Sequence, residues 1–102
     1  MGTLYYGDAR AAIAIDDREL AHLRVVIISK LRRKEPFAFS WVKPATERAD
    51  RSTIWISSDT LLEFEFDEKG TPELNRQWLE HLSQAASSAA GLSLVPEPVA
   101  AS

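Results

Sequence analysis

The chain contains no cysteine, which removes disulfides, thiolate metal sites and thiol nucleophiles together. Its two histidines, His22 and His81, stand in no metal-ligating or general-base motif, and such chemistry needs several His, Asp, Glu or Cys side chains converging on one point. No Gly-x-Ser-x-Gly elbow occurs, and the four glycines are scattered at positions 2, 7, 70 and 91. Neither a strained serine nucleophile nor a glycine-rich phosphate loop is therefore available. No run of about eighteen apolar residues exists to span a membrane, and "MGTLYYGDAR" lacks the basic start and apolar stretch of an export signal. These absences predict a cytoplasmic, non-enzymatic protein without metal or cofactor. The net charge of −3 gives no general attraction to phosphate polymers, so nucleic-acid binding requires a local basic patch.

What is present suits one folded unit. Hydrophobic residues make up 45% and charged residues 26% of 102 positions, enough to bury roughly two thirds of the unfolded surface. Residues 1–95 read as a single α+β domain, and "PEPVAAS", residues 96–102, reads as a flexible tail. Thr3–Tyr6 and Ala11–Ile15 are short β-prone runs around the turn formers Gly7 and Asp8. In "DDRE", Asp16 as N-cap and Glu19 three positions on have the spacing of a reciprocal capping box. The β-branched run Val25–Ile28 also suits a buried strand, but Leu20, Leu23, Ile27 and Leu31 recur at three and four. That spacing predicts a helix from Asp17 to Arg33.

In "PFAFSWV", Phe37, Phe39 and Trp41 alternate with smaller residues, which predicts a strand with one bulky buried face. A polar stretch from Lys43 to Ser52 then reads as a mobile hairpin loop. "TIWIS" and "LLEFEF" follow as strands that complete a three-stranded meander, with Leu62, Phe64 and Phe66 facing inward and Glu63 and Glu65 outward. A second helix is predicted from Thr71 as cap and Pro72 as first residue, with Leu74, Trp78, Leu82 and Ala85 as its stripe. "LSLV" adds a last short strand. The order is β-β-α-β-β-β-α-β, an antiparallel sheet with two helices on one face.

Two surfaces stand out. Lys30, Arg32, Arg33 and Lys34 put four cations beside aromatic strand residues, a candidate contact for nucleic acid or another anion. The competing explanation is that cations gather at a helix C-terminus because they complement its dipole. Ala21, Val25 and Ile28 widen the apolar arc of the first helix to about half its circumference, to be covered by the second helix or by a second copy in a homodimer. Trp55 shares a strand face with Thr53 and Ser57, whereas Ile54 and Ile56 take the core side, so its indole is a candidate partner contact. His22 and His81 read as exposed or partly buried residues without a chemical role. The leading expectation is a protein that acts by association with itself; the alternative is an accessory domain that binds nucleic acid.

Taken together, "GTLYYG", "DDRELAHLRVVIISKLRR", "EPFAFSW", "STIWIS", "ELNRQWLEHL" and "LSLVPEP" resemble a family of small uncharacterised actinobacterial proteins often labelled "ATP-dependent DNA ligase". The activity in that label implies a lysine nucleophile in a Lys-x-Asp-Gly context and a much larger nucleotidyltransferase domain. Lys30, Lys34, Lys43 and Lys69 are followed by "LRR", "EP", "PAT" and "GTP", and none fits. The resemblance brings no catalytic residues to this chain.

Overall fold

The computed structural model describes residues 1–42, 51–70 and 72–98. Its elements are β1 (Gly2–Tyr6), β2 (Ala11–Ile15), α1 (Asp17–Arg32), β3 (Phe37–Val42), β4 (Arg51–Ile56), β5 (Leu62–Glu65), α2 (Arg76–Ser87) and β6 (Leu92–Ser93). The α+β class and the element order are those read from the sequence. The polar stretch expected as a hairpin loop falls at positions 43–50, outside the described residues, and Arg51 and Ser52 already belong to β4. Among the described residues no helix is long and apolar enough to cross a membrane.

The expected single meander is corrected. The strands form two three-stranded sheets, β2-β1-β5 and β4-β3-β6, and β6 runs parallel to β3. β5 does not fold back on β4 but pairs with β1, placing Phe64 opposite Leu4. The redirection occurs at Ser57–Thr60. There the Ser57 N–H donates to Thr60 Oγ1 at 3.0 Å and the Thr60 N–H donates to the Ser57 carbonyl at 3.1 Å. The Gly7 N–H then donates to the Leu61 carbonyl at 2.9 Å, which seats the start of β5 beside β1.

The helices are shared between the sheets instead of lying on one face of one sheet: α1 packs on β1 and α2 on β3 and β6, while the helices touch each other. One continuous core results. It unites Leu4, Ile13 and Ile15 of the first sheet and Leu20, Leu23 and Ile27 of α1 with Phe37, Phe39, Ile56 and Leu92 of the second sheet and Trp78 and Leu82 of α2. Each such side chain contributes about 1.5–3 kcal/mol by leaving water.

Both helix starts differ locally from expectation. Asp16 caps α1 by accepting from the Arg18 N–H at 3.1 Å, but the reciprocal bond from Glu19 is not made among the described residues. Glu19 is half-buried instead, and burial followed by the nearby Asp16 charge raises its pKa. Asp17 turns away from its own helix and accepts from the Asp67 and Glu68 N–H groups at 3.3 and 2.8 Å, tying the β5–α2 connection to α1. Helix α2 begins at Arg76, not Pro72, with Asn75 as cap accepting from the Trp78 N–H at 3.2 Å. Thr71 lies outside the described residues, and Leu74, assigned to the helix stripe, precedes the helix and is exposed.

Candidate functional site

The densest polar arrangement joins α1, the start of α2 and the segment after β6. His22, expected at or near the surface, is wholly buried because it lies on the α1 face that packs against α2. Its Nδ1–H donates to the Arg18 carbonyl at 2.7 Å, its Nε2 accepts from the Asn75 N–H at 2.8 Å, and its ring lies 4.4 Å from that of Trp78. Both nitrogens are thus occupied by main chain, with Nδ1 as donor and Nε2 as acceptor. Asn75 is the junction, since its Nδ2 also donates to Glu97 Oε2 at 3.0 Å and to the Pro98 carbonyl at 3.3 Å. Arg18 grips Glu97 in a fork at 2.8 and 2.7 Å and donates to the Glu73 carbonyl at 2.9 Å. Residues 96–98, the first part of the segment read as a tail, are thereby clasped to α1.

Local signals for this cluster are few. Asn75 has cap spacing to Trp78, and His22 is four residues before Val26 on a buried face, but nothing in the sequence links Arg18 to Glu97. The arrangement is a structural clasp, because its donors and acceptors are aimed at one another. Among the described residues no group of three His, Cys, Asp or Glu side chains is placed to hold a metal.

The clasp predicts an acid sensitivity. Hydrogen bonds from Arg18 and then Asn75 lower the Glu97 pKa from 4.5 to about 2. A carboxyl with a depressed folded pKa stabilises the fold above its unfolded pKa and loses that contribution as pH falls through the folded one. Glu35 is lowered as well, chiefly by the Lys30 hydrogen bond, whereas Glu19 is shifted the opposite way. Comparison with Glu97→Gln isolates the clasp: the parent should be the more stable at neutral pH, and the gap should narrow from 4.5 towards about 2. Urea midpoints across that range check this, and a pH-independent gap would contradict it.

The four cations at the end of α1 do not form one patch. Lys30 is buried at 7% exposure, and its Nζ donates to Ser87 Oγ at 3.0 Å and Glu35 Oε1 at 3.2 Å. Arg33 Nε donates to the same Glu35 oxygen at 3.2 Å. Arg32 and Lys34 are exposed and have no ion pair among the described residues. Lys34 takes a left-handed φ of 57°, which turns the chain out of the helix.

Part of the apolar arc of α1 faces the β5–α2 connection rather than α2. Ala21 is buried, Val25 and Ile28 are half-buried, and beside Ala21 and Val25 runs a groove of about 370 Å³ whose other wall is Phe66, Pro72 and Leu74. The β5–α2 connection thus forms the far side of this groove.

Trp55 stands where strand parity places it. Ile56 is buried, Ile54 packs on the core, and the indole is 65% exposed. On the outer face of this sheet Trp55 lies opposite Ala38, and Thr53 lies opposite Ser40 with their hydroxyls 2.7 Å apart. Ser93 continues that row on β6. These five positions carry no charge, and Arg51, opposite Val42 at the start of β4, has the same parity. The outer face of the other sheet is different: Arg10 lies 4.4 Å over the Tyr5 ring and 2.7 Å from Glu63, and Tyr5 donates to Glu65.

No curated protein and no solved structure matches the chain. A family model described as a domain of unknown function, DUF7882, matches residues 1–97, and the chain belongs to that family.

Proposed function

We propose that the protein is a non-catalytic association module that binds a second copy of itself through the surface carrying Trp55. The observation that supports this reading is the indole at 65% exposure beside Ala38, Ser40 and Thr53 on the outer face of its sheet. Large aromatic side chains are the side chains that most often dominate the energy of protein interfaces. The reading sets aside the ligase label of the small actinobacterial proteins that the chain resembles, since no lysine has the nucleophile's context. The α1 arc, with Ala21, Val25 and Ile28, becomes secondary because the β5–α2 connection lies along it.

Light scattering over a dilution series tests the proposal. Mass should approach twice that of the chain at high concentration and fall to the monomer on dilution. Trp55→Ser should weaken the dimer about 30-fold or more, the equivalent of a 2 kcal/mol hot spot. A strictly monomeric parent overturns the reading, as does a dimer indifferent to this substitution.

A further inference from the structure

The outer face could meet a second copy flat on, or β4 could meet it edge on, and the two modes bury different atoms. We propose that the second copy adds its β4 antiparallel to β4 across a two-fold axis perpendicular to the sheet. This makes one continuous six-stranded sheet from two three-stranded ones, and it rests on the self-association reading above. β4 terminates its sheet, so one side of its main chain has no strand partner among the described residues. Exposed strand edges are normally protected by charge, proline or brevity. β5 has Glu63 and Glu65, and β6 has two residues. β4 has a charge only at its first residue, Arg51, and from Ser52 to Ile56 it carries neither charge nor proline. β2 is uncharged too, but its exposed side chains are Ala11, Ala12 and Ala14, which offer little area to bury, whereas β4 offers an indole.

Self-pairing about such an axis keeps every side chain on its own face, so residues of the same parity stand opposite each other. Centred on Thr53 or on Ile54, the pairing sets both Trp55 rings on the outer face, one on each side of the axis. Two indoles, each 65% exposed beforehand, supply at most about 200–330 Å² of buried surface. A stable interface needs about 1,000 Å² or more, so main-chain pairing and the flanking side chains must provide the rest. The pairing is correspondingly a modest, concentration-dependent one.

The absence of cysteine makes single-cysteine cross-linking specific. Edge addition brings the two copies of Thr53 within about 9 Å, one strand spacing plus at most a two-residue offset, and leaves the two copies of Ser93 about 24 Å apart, five strand spacings. Thr53→Cys should be captured as a dimer by a bis-maleimide of about 8 Å reach, and Ser93→Cys should not. Both positions are exposed. Thr53→Lys, a surface change that leaves the core untouched, should weaken dimerisation about tenfold or more, because it sets like charges near each other across the new strand pair. Capture at Ser93 as readily as at Thr53 overturns edge addition in favour of face-to-face stacking, and a dimer unaffected by Thr53→Lys overturns both arrangements, since Thr53 shares the outer face with Trp55. A monomeric parent overturns the self-association reading itself, so the two failures are distinct.

Discussion

Trp78→Ala is expected to lower the free energy of unfolding by about 3–5 kcal/mol, the usual cost of emptying a buried indole site. Trp78 is 3% exposed, and its ring covers His22 at 4.4 Å. Its Nε1–H donates to the Val95 carbonyl at 2.8 Å. Truncation therefore opens a cavity between the helices, uncovers the imidazole and releases the segment that leads to Glu97. A domain of this size has about 5–15 kcal/mol in total, so the variant would lose about a fifth or more of its margin. Trp78→Phe retains an aromatic ring but forfeits the Val95 hydrogen bond, which costs about 0.5–1.5 kcal/mol on top of the lost ring area. Urea unfolding of the two variants checks the argument. Equal losses would show that the bond to Val95, not the volume of the indole, sustains this junction.

The legible parts of the fold are those governed by period and parity. Leu20, Leu23 and Ile27 recur at helical spacing and are all buried. The two-residue alternation correctly separates Trp55 from Ile54 and Ile56, and Phe64 from Glu63 and Glu65. Parity tells a strand which face goes inward but not which strand lies beside it. A local meander from β4 to β5 is the economical expectation, yet the partner β1 lies far away in the chain, with Leu4 opposite Phe64. What decides the pairing is the Ser57–Thr60 turn together with the Gly7–Leu61 bond, and half of that information sits at the other end of the sequence.

The start of α2 shows the same limit at smaller scale. Thr71 and Asn75 both satisfy a cap rule, and the choice falls to Asn75 because its N–H reaches His22 on another helix. A contact between residues 53 positions apart leaves no local mark. The basic run at the end of α1 has the converse property, since contiguity in the chain suggests one patch. Helical geometry instead sends Lys30 inward to Ser87 on α2 while Arg32 and Lys34 remain outside. Of the two apolar surfaces, Trp55 is legible because a strand has only two faces, and the α1 arc is less so because its cover is an irregular connection.

Gly91→Ala is expected to cost about 2–5 kcal/mol, whereas Gly70→Ala, at a comparable backbone angle, should cost about 1–2 kcal/mol. Both glycines have positive φ, 83° at Gly91 and 95° at Gly70, so an added side chain is strained at each. The surroundings separate them. A Cβ at Gly70 meets nothing within 4 Å, but one at Gly91 would stand 2.7 Å from the Ala38 carbonyl oxygen and 3.0 Å from Ala38 Cβ. Both are rigid parts of β3, so β6 would have to move. β6 consists of Leu92 and Ser93 alone. Displacing it drags Leu92 from the core and shifts the Val95 carbonyl that holds Trp78. At about 4–8 °C per kcal/mol for a domain of this size, thermal unfolding should resolve the two variants clearly. If Gly70→Ala were as damaging as Gly91→Ala, backbone strain would account for both losses and the close seat of β6 on β3 for neither. If Gly91→Ala alone is severe, the short parallel strand is what draws the segment from Val95 to Glu97 against the helices.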